Sequence, residues 1–387
     1  MRIAVVFDCL YPWTMGGAER LFRGYAEEWA AQGHEVTYLT RRQWPVDEPP
    51  EVPGIRVEPI TGEFELYDEQ GARRVGPALR FAAALLWTLL RRRGSFDVVY
   101  VMALPSLNVP AAWLGLLGAR ARLITEWVEV WRHGQWVQYS GVLVGQLAWL
   151  AQALGVHLSR RSVVHSQLMA GRMRSLRYRG RLFVSPGLLP HDELERTPRF
   201  DPPETPRLVF AGRHIPDKRI ELIPEVVARL RADGVPVTAV VAGDGPARAG
   251  AVERARELGV AEVCTFPGFV DQAELDELMA TSSCLLNPSV REGYGLVVVE
   301  AAAAATPSVV VTAPDNAAAE LVTDGVNGYV AEGPEVGALA CAVTAVLQGG
   351  AELRRSTRRW FDESARHGTV RNTARQLLPA LVGDRAG

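Results

Sequence analysis

Lysine is almost missing from this sequence: of its 42 basic residues, 41 are arginine and only Lys218 is lysine. With so much alanine, glycine and valine, this reads as a bias toward GC-rich codons, against which a single lysine stands out. Cysteine is scarce as well. Cys9, Cys264, Cys284 and Cys341 are scattered without a Cys-x-x-Cys, which excludes a disulfide frame or a thiolate zinc site and reads as reduced, buried thiols. Neither charge sign dominates, since the net charge is −2 and the pI about 6.4, so bulk charge gives no reason to expect nucleic acid. No apolar run reaches the roughly 20 residues of a spanning helix. The stretches Ala78–Leu90, interrupted by Arg80, and Val142–Val156 fall short and read as buried helices. The chain enters a strand at once, Arg2 to Phe7, with no leader pattern, so a cytoplasmic protein is expected. A Gly-x-Gly-x-x-Gly dinucleotide fingerprint is also lacking.

What is present is alternation. Apolar strands and helical stretches follow one another through 387 residues, long enough for two domains with mainly parallel sheets. In the first half, a strand leads through a loop to Gly16-Gly17 and a helix carrying Leu21, Phe22, Tyr25 and Trp29. Strands near Ile55, Phe96–Met102, Arg122–Thr125, Ser162–His165 and Leu182–Val184 follow, with a variable region over residues 43–77. Ser185–Pro190 reads as a hinge and His191–Pro206 as a proline-rich linker. In the second half, strands are expected at Arg207–Ala211, Val237–Ala242, Val263–Phe266 and Ser283–Leu286. The last helices are expected over Val336–Leu347 and Arg358–Leu381.

Three stretches carry chemistry. Residues 287–311 run from a loop through Gly293-Tyr294-Gly295 into a helix from Leu296, with Glu292 just before the turn and Glu300 inside the helix. Glycine lets backbone approach a ligand, and the free N–H groups of a helix start favour an anion. Carboxylates beside such a site would repel phosphate, so they suit hydroxyls at either end of it, a sugar on one side and a ribose on the other. The same spacing also fits a plain helix start with Glu300 solvated. Second, Arg213 and Lys218 stand five apart at a strand's C-terminal end, where open α/β sheets bind ligands and two cations suit a diphosphate. Third, residues 133–159 contain no Asp, Glu, Lys or Arg. That stretch reads as a buried helix, or as an acceptor channel or lipid-touching surface.

The Glu292-x7-Glu300 spacing around Gly-Tyr-Gly, followed by an alanine-rich helix and Pro-Ser-Val-Val, resembles the signature of family 4 retaining glycosyltransferases of the GT-B fold. The Gly-Arg213-x-x-x-x-Lys218 stretch resembles the donor-phosphate clamp of the same family. The resemblance implies an α/β GT-B chain: two Rossmann-like domains facing across a cleft, with a C-terminal helix crossing back to the first. Residues 1–187, with about 366–387, would bind the acceptor, and residues 188–365 the nucleotide-sugar donor. It implies catalytic roles for Arg213, Lys218 and Glu292. Donor contacts are implied at Gly17, at Gly268-Phe269-Val270 beside the base, at Gly293, Tyr294, Gly295, Leu296 and Val297 on sugar and diphosphate, and at Glu300 on the ribose diol. Many members carry a histidine at the end of the strand that here reads Glu126-Trp-Val; the nearest in sequence is His133, and either it takes the candidate acceptor-side role, or Glu126 or Glu129 takes over, or no side-chain base is used. His214 occupies a position that is usually apolar.

The implied reaction moves a sugar from a nucleoside diphosphate to an acceptor with retention, and the two cations take the leaving charge without a cofactor or metal. The acceptor would be a small molecule, or a glycan or lipid-linked molecule; membrane contact at the inner face is compatible but not required, and nucleic acid is not expected. The alternatives are a non-catalytic sugar-nucleotide binding protein or partner subunit, and a GT-B sugar-nucleotide epimerase.

Overall fold

A computed structural model describes residues 1–66, 73–189 and 197–383. The chain divides into two compact units, Met1–Pro190 with Gly368–Gly387, and His191–His367. Part of the expected variable region (67–72), the first six residues of the expected linker (191–196) and the last residue of the expected hinge, Pro190, lie outside the described residues.

The first unit contains β1 (Arg2–Val6), α1 (Gly17–Ala31), β2 (Glu35–Arg41), β3 (Ile55–Thr61), α2 (Val75–Arg91), β4 (Val98–Met102), α3 (Asn108–Gly115), β5 (Arg122–Trp127), α4 (His133–Ser140), α5 (Val142–Leu158), β6 (Arg161–Val164), α6 (Gln167–Ser175) and β7 (Arg181–Val184). Its strands form one parallel sheet in the order β3-β2-β1-β4-β5-β6-β7. Helices cover both faces, so central strands must be apolar on both sides. Residues Ile3 to Val6 and Val98 to Met102 are accordingly all buried. Phe81, Leu85 and Leu89 of α2, Val109 and Ala112 of α3, Val156 of α5 and Met169 and Met173 of α6 share one core with alternate strand residues such as Ala4, Val6, Val99 and Val101.

The second unit contains β8 (Arg207–Ala211), α7 (Leu222–Ala232), β9 (Thr238–Ala242), α8 (Arg248–Glu257), β10 (Cys264–Gly268), α9 (Gln272–Ala280), β11 (Cys284–Asn287), β12 (Arg291–Glu292), α10 (Leu296–Ala303), β13 (Ser308–Val311), β14 (Asp315–Asn316), β15 (Gly328–Ala331) and α11 (Val336–Ala365). Its main sheet is ordered β10-β9-β8-β11-β13-β15, and β12 pairs with β14 separately. Helices α7, α8 and α11 share a core on one face, while α9 and α10 pack on the other. Helix α11 is long and apolar enough to cross a bilayer, but its Leu339, Val343, Val346 and Leu353 belong to this core.

The chain ends in α12 (Val370–Val382), which belongs to the first unit. It packs on α1: the Trp29 indole donates to the Ala374 carbonyl at 3.0 Å, and Arg375 pairs with Glu28 at 2.7 Å. This is the returning C-terminal helix that the resemblance implied.

Several expectations need correction. The run Arg358–Leu381 is not one helix. Gly368 and Thr369 interrupt it, and the Thr369 hydroxyl caps α12 by accepting from the Asn372 N–H. Helix α11 continues through the expected break at residue 347 and kinks at Gly350, whose φ of 49° a glycine adopts without strain. Burial pushes the Cys284 thiol up to about 12 and the Cys264 thiol to about 11, as expected of buried cysteines, but Cys341 is exposed. Helices α2 and α5 are buried on one face only, since Leu79, Trp87, Leu143 and Leu147 lie more than half exposed.

One buried cation organises the second unit. Arg354 of α11 is 1% exposed, and its guanidinium donates to three carbonyls: Arg199 at 2.8 Å, Ser282 at 2.6 Å and Ala280 at 3.0 Å. It thereby ties α11 to the end of α9 and to the segment leading into β8. Burial lowers its pKa to about 10, still far above neutrality, so the charge persists and the carbonyls satisfy it. Truncation would strand three buried acceptors. Arg354→Ala is expected to lower unfolding stability by about 3 kcal/mol; an unchanged urea midpoint would show that the cation carries no load.

Candidate active site

In an open α/β sheet the strand order reverses at one point, and the strand ends on either side splay apart to leave a crevice. In the second unit that point lies between β8 and β11. The loop after β8 carries Gly212, Arg213 and Lys218, and the segment after β11 carries residues 288–295. The two are stitched together by backbone, as the Val290 N–H donates to the Asp217 carbonyl at 3.0 Å.

At this stitch the Lys218 ammonium donates to Glu292 Oε1 at 2.5 Å, with the side chains 18% and 13% exposed. The Asn287 amide donates to the same oxygen at 3.3 Å. Burial by itself would raise the Glu292 pKa. The Lys218 charge, together with hydrogen bonds from Lys218, Asn287 and Ser289, outweighs that and holds the carboxyl below its usual 4.5. Glu292 is positioned by its place in β12, opposite Asn316 of β14. Asn316 in turn donates to the Val311 carbonyl at 2.8 Å and caps the following 3-10 turn by accepting from the Ala318 N–H.

Neighbouring charges are sorted. Arg291 pairs with Asp217 at 2.5 Å and Arg219 with Glu221 at 2.8 Å. Arg213 is exposed, and its guanidinium has no hydrogen-bond or ion-pair partner among the described residues. The loop therefore offers one engaged ammonium and one open guanidinium.

Immediately after Glu292 the chain turns through Gly293, Tyr294 and Gly295 into α10. Gly295 has φ 104°, and a Cβ there would come within 2.6 Å of the Ala318 Cβ. Both facts require glycine at this position. Gly295 caps the helix without any side-chain hydrogen bond, so no cap side chain satisfies the first N–H groups, at Leu296 and Val297. Glu300 lies one turn further along the same helix, half-buried. The structure thus brings Lys218, Glu292, the Gly293–Val297 backbone and Glu300 into one region of one unit.

Gly268, with φ 87°, ends β10, and its carbonyl accepts from the Gly243 N–H at 2.7 Å. Phe269 is 70% exposed, so its ring does not fill the core. Val270 follows it, half-buried. His214 is buried beneath the same edge. Its backbone N–H donates to the Asp244 carbonyl at 2.8 Å and its carbonyl accepts from Ala247 at 2.8 Å. Burial lowers its pKa, outweighing the opposing influence of the Ala242 backbone and of Asp244. A Cβ on Gly243 would approach its Nε2 to 3.2 Å, so the imidazole fills space beneath the glycine loop.

In the first unit Gly17 opens α1. His133 is the first residue of α4, exposed and edge-on to Trp149 at 5.3 Å. A different histidine meets the end of β5. His165, just past β6, hydrogen-bonds Glu126 through Nε2, and both side chains are fully buried. Sequence reading missed this pair because its members stand 39 residues apart. The available signal was a polar residue closing each of two adjacent apolar strands. The second acceptor atom Glu126 Oε2 and His165 Nδ1 lack partners among the described residues. So do Asp8 Oδ1 after β1, and Ser106 Oγ and Asn108 Oδ1 after β4. These strands are neighbours in the sheet, so the unpaired atoms gather along its C-terminal edge. Among the described residues no three His, Cys, Asp or Glu side chains converge as a metal would require.

Comparison with known proteins gives this geometry a context. Residues 192–367 match the family described as glycosyl transferases group 1, and residues 16–187 the family described as glycosyl transferase 4-like domain. The glycogen synthase of Mycobacterium tuberculosis is 33% identical over 163 residues, 42% of this chain and 38% of that protein. A D-inositol 3-phosphate glycosyltransferase of Catenulispora acidiphila is 32% identical over 177 residues, 43% of this chain and 41% of that one. The chain therefore spans about two fifths of the length of these curated relatives. Among solved structures, sucrose-phosphate synthase from Thermosynechococcus elongatus superposes with a TM-score of 0.80 at 17% identity, covering 97% of this chain and 96% of that one. Anabaena HepE in complex with UDP gives 0.75 at 17% identity, covering 99% and 100%. At such identities the likeness shows the fold. With each half matched by a glycosyltransferase domain family and the whole superposing on GT-B enzymes, the chain belongs to the family 4 glycosyltransferases of the GT-B fold.

Proposed function

We propose that this protein transfers a sugar from a nucleoside diphosphate sugar to a hydroxyl-bearing acceptor, with retention of anomeric configuration. The second unit holds the donor and the first unit the acceptor. The observation that carries this reading is the Lys218–Glu292 contact beside the start of α10, at the point where the strand order reverses.

The diphosphate sits between the cationic loop and the α10 N-terminus. Lys218 leaves Glu292 for phosphate oxygens, and Arg213 joins it from its exposed position. Both strengthen their hold as charge develops on the departing diphosphate. Glu292, released from the lysine, accepts hydrogen bonds from donor-sugar hydroxyls, and Glu300 accepts from the ribose diol. The backbone around Gly268–Val270 meets the base, with the exposed Phe269 ring beside it. The departing phosphate oxygen takes the acceptor proton on the same face. On the acceptor side, the unpaired atoms of Glu126 and His165 supply partners for acceptor hydroxyls, an arrangement that uses a strand-end imidazole without calling on His133.

A thermal-shift screen of UDP-, GDP- and dTDP-sugars is the first test, since a ligand that binds only the folded state stabilises it by mass action. UDP-sugars come first because solved HepE structures hold UDP and UDP-glucose. Product analysis with the binding donor then separates transfer from plain binding and from epimerisation.

Lys218→Ala is expected to cut kcat/KM about a hundredfold, or about 2.7 kcal/mol, with the fold intact; full turnover by a folded variant would remove the clamp. Glu300→Ala is expected to weaken donor affinity about tenfold or more, and calorimetry giving equal Kd values would refute the ribose contact. Glu126→Gln is expected to raise the acceptor KM about tenfold and leave the donor Kd alone. If the donor Kd moves and the acceptor KM does not, the pair has no acceptor role.

A further inference from the structure

We propose that the outer face of α2, α3 and α5 in the first unit docks on a membrane surface containing anionic phospholipid, with the leucines of α5 entering the interface. Helix α5 carries no Asp, Glu, Lys or Arg along its length. Its buried face is set by close contacts. A Cβ on Gly145 would meet the Trp136 carbonyl oxygen at 2.5 Å, and one on Gly155 would meet Trp127 and Val109 at 3.3 Å. Gln152, on the same side, donates to the Trp131 carbonyl at 2.7 Å. With that face fixed, the opposite one must point outward.

That opposite face is apolar. Leu143, Leu147, Leu150 and Leu154 are 75%, 60%, 53% and 50% exposed. At 3.6 residues per turn they fall within an arc of about 60° and form a stripe about 16 Å long. A second stripe runs along α2, where Val75, Leu79 and Trp87 are 50%, 53% and 56% exposed. Leu114 and Leu117, at and just past α3, are each 44% exposed. All three helices share one core on the same face of the sheet. Single exposed leucines are ordinary; stripes on adjoining helices mark a contact surface.

Charge selects the occupant. Residues 73–189 contain sixteen arginines and three acids, Asp97, Glu126 and Glu129, and of those arginines Arg73, Arg74 and Arg92 pair with Asp8, Glu65 and Glu58 outside the stretch. Asp97 is paired with Arg2, Glu126 is buried against His165, and Glu129 accepts from the Trp131 indole. Arg132 immediately before α4 and Arg160 just after α5 are exposed, and so are Arg80, Arg91 and Arg93 on and beside α2. The Arg91 guanidinium lies 4.3 Å from the Trp87 ring centroid. Arginines bordering an apolar stripe, with a tryptophan among them, match an anionic headgroup layer over acyl chains. A second copy of the same face would set these arginines against each other. Spanning is excluded for α5, because its 17 residues fall short of a bilayer and its inner face is occupied by protein.

The test is vesicle co-sedimentation of the full chain, whose readout does not depend on sugar transfer. Wild-type protein is expected to partition about tenfold better onto phosphatidylcholine vesicles with about 30 mol% phosphatidylglycerol than onto phosphatidylcholine alone, and to come off as salt is raised. The double variant Leu147→Glu/Leu150→Glu, altered only at exposed positions, is expected to lose about tenfold in binding while keeping the wild-type Tm. Equal binding by variant and wild type, or no binding to the anionic vesicles, overturns the proposal. It is equally overturned if light scattering shows a dimer that the variant dissociates and vesicles bind neither form.

Discussion

The Lys218–Glu292 contact is the interaction around which the second unit's site is arranged. A partly buried ion pair is a poor source of stability, because stripping water from both groups offsets most of their attraction. Its value lies in position. It fixes the loop after β8 to the segment after β11 at the one place where the parallel sheet opens, and the Val290–Asp217 backbone bond repeats the same join without charge. Everything else follows from keeping that join close. Arg291 is drawn off by Asp217, Glu292 is held in β12 by pairing with Asn316, and the glycine turn leads into a helix start that no cap side chain occupies.

On the proposed reading the pair is also a placeholder. A site built for a diphosphate has to keep its cation somewhere when empty, and an acid that later serves hydroxyls is a suitable partner. Burial pushes the Glu292 pKa up and the lysine's charge more than offsets it, so the acid is charged while the pair is closed. The single lysine of an otherwise arginine-only chain stands at this contact. An ammonium is a compact point charge with three rotatable donors, able to leave one oxygen for another, whereas the planar fork of arginine holds a carboxylate in a fixed geometry.

Much of the fold was legible because a parallel sheet covered on both sides needs continuous apolar strands, and those stand out against glycine, proline and capping residues. Ser166 and Asp271 cap α6 and α9, their side chains accepting from the Met169 and Glu274 N–H groups. The acid spacing and the Arg213–Lys218 loop were readable because motif residues lie near one another in sequence. The break before α12 was hidden by helical periodicity on both sides of Gly368-Thr369. The Glu126–His165 pair was hidden because each residue, taken alone, is only a polar group ending a strand.

The sequence by itself determined two alternating α/β halves and short motifs that resemble those of a sugar-nucleotide site, because periodicity and short motifs are local properties of a chain. Only the tertiary structure decided which strand ends meet. Lys218 and Glu292 lie 74 residues apart and touch because β8 and β11 are neighbours in the sheet. Only the tertiary structure, likewise, turned the uncharged helix α5 from a candidate core element into an outward apolar stripe. An apolar helix can be buried on every side or on one alone, and close contacts at Gly145 and Gly155 settled which face lies inside.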